Sequence, residues 1–123
     1  MKKAFFIQLQ VFFYLIAGIN HFIVPDFYHD LIPPFFEQKN IVNILAGIAE
    51  ILLALGLLNS ETRKTASILI IIMLISFIPS HVYFIQLGSC VEGGLCVPEW
   101  IGIVRLIVIH PLLVYWAWKA KDV

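Results

Sequence analysis

Charge is what this sequence has least of. Only 13% of its 123 residues are charged while 61% are hydrophobic, whereas a soluble domain carries about 25% charged residues and roughly half apolar ones. That shortage excludes an ordinary water-soluble domain. The short patterns that mark nucleotide and metal sites are missing too: there is no Gly-rich phosphate loop, no H-x-x-E-type ligand spacing and no basic stripe. Metal, nucleotide and nucleic acid therefore have no basis in the residues. Cysteine is limited to two residues, too few for a relay of redox pairs. No low-complexity segment occurs, and no internal repeat beyond a histidine near the same end of two of the apolar runs.

What is present is four apolar runs, about 4–24, 41–58, 65–87 and 100–118. Each is close to the ~20 residues a helix needs to cross a hydrocarbon core. The opening "MKKAFFIQLQVFFYLIAGIN" imitates a signal peptide, but the apolar run is long and no A-x-A-like site follows, so it is read as the first span. Lys2, Lys3, Arg63, Lys64, Lys119 and Lys121 all fall on one side of the spans. The other side carries Asp26, Asp30, Glu37, Glu92 and Glu99 with Lys39 as its one Lys or Arg. By the positive-inside rule both termini are cytoplasmic. The expected fold is all-α: one transmembrane up-down four-helix bundle over residues 1–123, in contact with the lipid bilayer.

Two connections face away from the cytoplasm in this arrangement. "LGSCVEGGLCVPEW" holds Cys90 and Cys96 with two glycines between them, and an extracytoplasmic setting permits a disulfide there. A redox-active pair is the rival reading, although the spacing is wider than C-x-x-C. "VPDFYHDLIPPFFEQKN" has three prolines and no helical period long enough to cross a membrane. Its Phe27, Tyr28, Phe35 and Phe36 are residues that settle at the headgroup level, which places this segment over the mouth of the bundle. The remaining connection, "NSETRK", is short enough to make the second and third spans antiparallel neighbours.

The polar residues inside the spans are few. Asn43, Gly47, Glu50 and Ala54 share one small, polar face of the second span. Small residues let helices approach closely in lipid, so Glu50 is expected to point into the bundle. A charge at the bilayer centre costs at least ~2.5 kcal/mol and needs a partner or a purpose. Counting ~1.5 Å per residue from the span ends puts Glu50 ~13 Å deep and Arg105 ~7 Å deep, so a Glu50–Arg105 salt bridge is expected. His21 and His81 reach the same layer, and Asn20, Ser80 and Tyr83 add neutral hydrogen-bonding groups. Pro79 frees the carbonyl of Ile75 and bends the third span, with Ser76 or Ser80 available to bond that carbonyl. His110, five positions after Arg105, is turned by ~140° from it on a regular helix and is expected to bond a neighbouring helix.

Glu50, Arg105, His81, His21, Asn20 and Tyr83 are thus the candidate ligand-binding residues. Three readings of that layer stand: a pocket for the polar head of an amphiphile such as a quinone, a proton or ion pathway, or polar contacts that only specify helix packing.

The chain also resembles the DoxX and DoxX-like family of small bacterial membrane proteins. The resemblance is carried by Gly18, His21, Phe22 and Pro25 in "GINHFIVP", Ile32 to Pro34, Gly47 and Glu50 in "AGIAE", "GLL" at 56–58, Thr62-Arg63, Phe77 with Pro79, Arg105-Leu106 and Trp116-Ala117. It implies a bacterial plasma-membrane bundle acting as an accessory or scaffold subunit of a redox-linked, quinone-associated complex; the alternative is an independent binder or transporter of a small molecule such as a quinone or lipid, and the residues show no complete catalytic set for an enzyme on its own. His81 after the Phe-x-Pro and the Cys90/Cys96 pair depart from the family pattern.

Overall fold

The computed structural model describes residues 2–123 and is all-helical. Helix α1 (Lys2–Ile23) leads through the short α2 (Pro25–His29) to α3 (Lys39–Leu58), α4 (Arg63–Ser76) and α5 (Ile78–Gln86). After a loop come α6 (Glu99–Val104), a π-helical segment (Arg105–Ile109) and α7 (His110–Ala120). Helices α4 and α5 continue one another over Arg63–Gln86, as α6 to α7 do over Glu99–Ala120, so four helices are long and apolar enough to cross a membrane. Their ends differ from the sequence reading by up to two residues, as helix termini commonly do.

The closest packing is between α1 and α3. Buried positions Ile7, Val11, Tyr14, Gly18 and His21 in α1 and Asn43, Gly47, Glu50, Ala54 and Leu57 in α3 repeat with the same four-three-four-three spacing. That period keeps one seam of each helix facing its partner over several turns. At the crossing, glycine meets glycine. A Cβ on Gly47 would lie 2.9 Å from His21 Cβ and 3.1 Å from the Gly18 carbonyl oxygen, and one on Gly18 would lie 2.9 Å from the Gly47 oxygen. The backbones therefore touch, as small residues allow in apolar surroundings.

Helix α3 packs on α4, α4 on α7, and α7 more lightly on α1, closing a ring. At the end that holds the termini and the 59–62 turn, hereafter the turn end, the interior is filled by Ala54, Leu57, Ala66, Ile70, Ala117 and Ala120. The turn is fastened by side chains. Asn59 Oδ1 accepts from Glu61 N, Thr62 Oγ1 donates to the Gly56 carbonyl, and Arg63 donates to the Leu57, Leu58 and Val123 carbonyls. A cation over the C-terminal carbonyls of α3 also suits the helix dipole.

The opposite end, the loop end, is built differently. Phe77 separates α4 from α5, and Pro79 in the first turn of α5 has no N–H for the Ile75 carbonyl. Ser76 does not supply the missing donor: its hydroxyl donates to Ile72 instead. Beyond this break α5 leaves α3 and packs on α6 and the π segment. The bundle is splayed at this end as a result. The 87–98 loop crosses it, with Cys90 and Cys96 joined by a disulfide. Gly88 and Ser89 both take positive φ there, and Ser89 fits against Gly102, where any side chain would collide with it.

Candidate functional site

The splay opens a partly enclosed cavity of about 560 Å³. It lies between the loop-end halves of α1, α3 and the α4–α5 break, with the π segment and the start of α7 on the fourth side. Leu31 and Ile32, both buried, and Phe36 close it from the 30–38 segment. Most of the wall is apolar. The polar part is concentrated in His21, Asn43, Glu50, His81, Arg105 and His110, with Tyr14, Tyr28, Ser76 and Ser80 beside them.

The glycine crossing decides what Glu50 meets. By drawing α1 onto α3, it delivers His21 to both Asn43 and Glu50: Asn43 Oδ1 lies 2.7 Å from His21 Nδ1, and His21 Nε2 lies 3.3 Å from Glu50 Oε2. Asn43 Nδ2 in turn donates to the His21 backbone carbonyl at 2.9 Å, which holds the amide in place. The contact with Glu50 is at ion-pair distance without being an aligned hydrogen bond, and Oε2 has no other partner among the described residues. Tyr28 stacks on the other side of the His21 ring, centroids 3.8 Å apart. Burial, and then the Glu50 charge, push the Tyr28 phenol above its ordinary range, with Arg105 pulling the other way. Tyr28 thus stays a hydroxyl, able to donate.

The expected Glu50–Arg105 salt bridge is therefore not formed. Among the described residues no carboxylate lies within ion-pair distance of Arg105, although its guanidinium lines the cavity. The reason is architectural. The segment carrying Arg105 packs on α5 and α7, while α3 is held by α1, α2 and α4. Depth along the spans leaves a gap that an extended arginine side chain can cross, but depth says nothing of which helices are neighbours.

His110 is a second correction. The π segment closes its backbone with bonds from residue i+5 to i, including His110 N to the Arg105 carbonyl, which brings position i+5 round toward position i. The ~140° offset of a regular helix does not apply, and Arg105 and His110 face the same cavity. His110 Nε2 also bonds the Leu74 carbonyl on α4, so the expected helix-to-helix bond exists as well. Its ring stands edge-on to His81, centroids 4.7 Å apart.

Of the candidates named from sequence, Glu50, Arg105, His81 and His21 come together in this wall. Asn20 and Tyr83 do not. Asn20 lines a separate, more open groove with Leu9, Phe12 and Trp116 that adjoins the cavity through Phe13, Ala17 and Tyr28, and Tyr83 is absent from the cavity lining. Asn43, on the small polar face of α3, is a site residue that the sequence candidates do not include. Its spacing of seven from Glu50 was the available signal. Among the described residues no cluster of three or more His, Cys, Asp or Glu suited to a metal ion occurs.

Fold and site together define a small membrane-type helical bundle with a cluster of polar side chains lining a cavity at one end. Residues 11–121 match the family described as Domain of unknown function (DUF8561), and the chain belongs to that family. No curated protein and no solved structure matches it. The family match overturns the resemblance to DoxX proteins. The pieces that carried it are short, and several have a structural cause in this fold: Gly18 and Gly47 make the α1–α3 crossing, and His21 and Glu50 pair across it.

Proposed function

We propose that this chain is an integral protein of the plasma membrane, with the turn end and both termini in the cytoplasm, that binds a small amphiphile in the loop-end cavity. The insertion is supported by the four apolar spans and by the coat of exposed side chains such as Phe5, Phe12, Leu52, Ile72 and Ile107. A coat this extensive is a liability in water and ordinary in lipid. The orientation is supported by the basic residues gathered at the turn end.

The binding role rests chiefly on Arg105. A cation in a low-dielectric bundle normally faces a counter-charge or marks a ligand site, and this one faces a cavity without a carboxylate beside it. A volume of about 560 Å³ lies in the range, roughly 300–1,000 Å³, of sites that enclose one small molecule. The apolar remainder of the wall suits the body of an amphiphile, a lipid or quinone among them. Service as an accessory subunit of a redox complex rested on the overturned resemblance and has no residue to support it.

The test is purification in mild detergent followed by mass spectrometry of the organic extract. A small amphiphile recovered from the natural chain, and lost from the Arg105→Gln protein at equal yield and helicity, is the expected result. Extracts of the two proteins that are alike would leave the cluster as a device for helix packing.

A further inference from the structure

We propose that the ligand's head is a monoanion, a carboxylate at the end of a single aliphatic chain. This rests on the reading of the cavity as a binding site and goes beyond it by fixing the charge of the occupant.

The protons of the polar wall can be placed one by one. A backbone carbonyl only accepts, so the Asn43 group 2.9 Å from the His21 carbonyl is the amide nitrogen, and Oδ1 faces the ring. That oxygen only accepts in turn, which puts a proton on His21 Nδ1, 2.7 Å away. The other ring nitrogen, Nε2, is left 3.3 Å from Glu50 Oε2. With no proton on either atom, two lone pairs would oppose each other in a buried place. With one proton, on nitrogen or on oxygen, the repulsion is gone and the His21–Glu50 pair is neutral as a whole.

Glu50 is the one acid in the lining. Tyr14 and Tyr28 are phenols, and His81 and His110, edge-on to each other at 4.7 Å and sharing the cavity with the Arg105 cation, stay neutral because a further positive charge there would be repelled. Arg105 therefore leaves the cavity wall with one net positive charge that nothing in the wall offsets. Its planar fork of donors fits a carboxylate with two parallel bonds. Leu45, Ala46, Ala49, Met73, Phe77 and Leu113 provide apolar wall for the chain, and a volume of about 560 Å³ is that of a site for one small molecule, which suits a single acyl chain. A phosphate monoester carries close to two charges, more than a single unmatched cation neutralises.

The experiment uses the full chain in detergent micelles and three probes of equal chain length: a fatty acid, its methyl ester and an alkyl phosphate. Binding is read by native mass spectrometry and by displacement of a fluorescent fatty acid. The acid is expected to bind at least about tenfold tighter than the ester, the equivalent of one modest charged contact. Arg105→Gln should bring acid and ester together while keeping ester binding, and Arg105→Lys should keep part of the preference. If Arg105→Gln does not fold, the acid-to-ester ratio on the natural chain decides. Equal binding of acid and ester overturns the monoanion but leaves the cavity a binding site. A phosphate that binds tighter than the acid overturns the carboxylate. Failure of all three probes to bind overturns both proposals.

Discussion

The two ends of this bundle are made from the same apolar alphabet and behave as different materials. At the turn end every helix is regular where it meets its neighbours, and small side chains let them close up, Gly56 against Ala66 with Ala54, Ala117 and Ala120 wholly buried beside Leu57 and Ile70. Regular helices with small residues pack without gaps. At the loop end the chain departs from regularity at the Phe77–Pro79 break, in the π segment and in the 24–38 connection. Those departures hold open the cavity, and the polar side chains gather around it. Irregular backbone, together with polar residues placed at that end, turns a packed bundle into one with a site.

The comparison can be broken most sharply at His21. His21→Ala leaves Glu50 buried without its partner and Asn43 without its ring, a loss of about 3–5 kcal/mol for a broken buried pair. Adding Glu50→Leu should return part of that loss in a thermal or denaturant unfolding series. The Glu50 and Arg105 pair, run through the same double-mutant cycle, should be additive within about 0.5 kcal/mol. Strong coupling there would mean that the two ends of the charge layer are joined after all. Next in size is Gly47→Val, which forces atoms into the α1–α3 crossing and should cost about 1–3 kcal/mol. Ile72→Val, at an exposed position, should be nearly silent, which an unfolding midpoint in detergent would check.

Replacing Cys90 and Cys96 together with serine removes a short covalent loop, an effect of about 2 kcal/mol on a chain-entropy view. Hydrogen exchange should quicken in α5 and α6 while α3 and α7 stay protected, because the loop is anchored only at the loop end. Equal quickening at both ends would show that they unfold as one unit. The smallest effect belongs to the turn end's own exception. Gln10 and Ser67 are wholly buried there, with no hydrogen-bond partner for the Gln10 amide or the Ser67 hydroxyl among the described residues. Gln10→Leu should raise stability by about 1 kcal/mol, since a buried polar group without a partner costs more than the apolar group that replaces it. A loss instead would indicate that buried water bonds the Gln10 amide.

Much of the fold was legible along the chain because span length and the spacing of small and polar residues are local properties. The α3 face of Asn43, Gly47, Glu50 and Ala54 could be read from helical periodicity alone, and all four residues are buried. The partner of Glu50 could not. Arg105 was the natural choice by charge and depth, and His21 won because two glycines let α1 come closer to α3 than any other helix does. The place of His110 is hidden for a related reason: a regular period turns it away from Arg105, whereas the backbone widens into a π turn there.

The sequence by itself determined that four helices can span a membrane, where they begin and end, and that a carboxylate lies on the small face of the second. Hydropathy and helical period follow directly from residue order. Tertiary structure alone decided that this carboxylate meets an imidazole, that Arg105 is left facing a cavity, and that His110 joins it there. Those outcomes depend on which backbones can touch and where a helix is forced out of register. Close approach and register belong to pairs of helices, and no single stretch of sequence contains them.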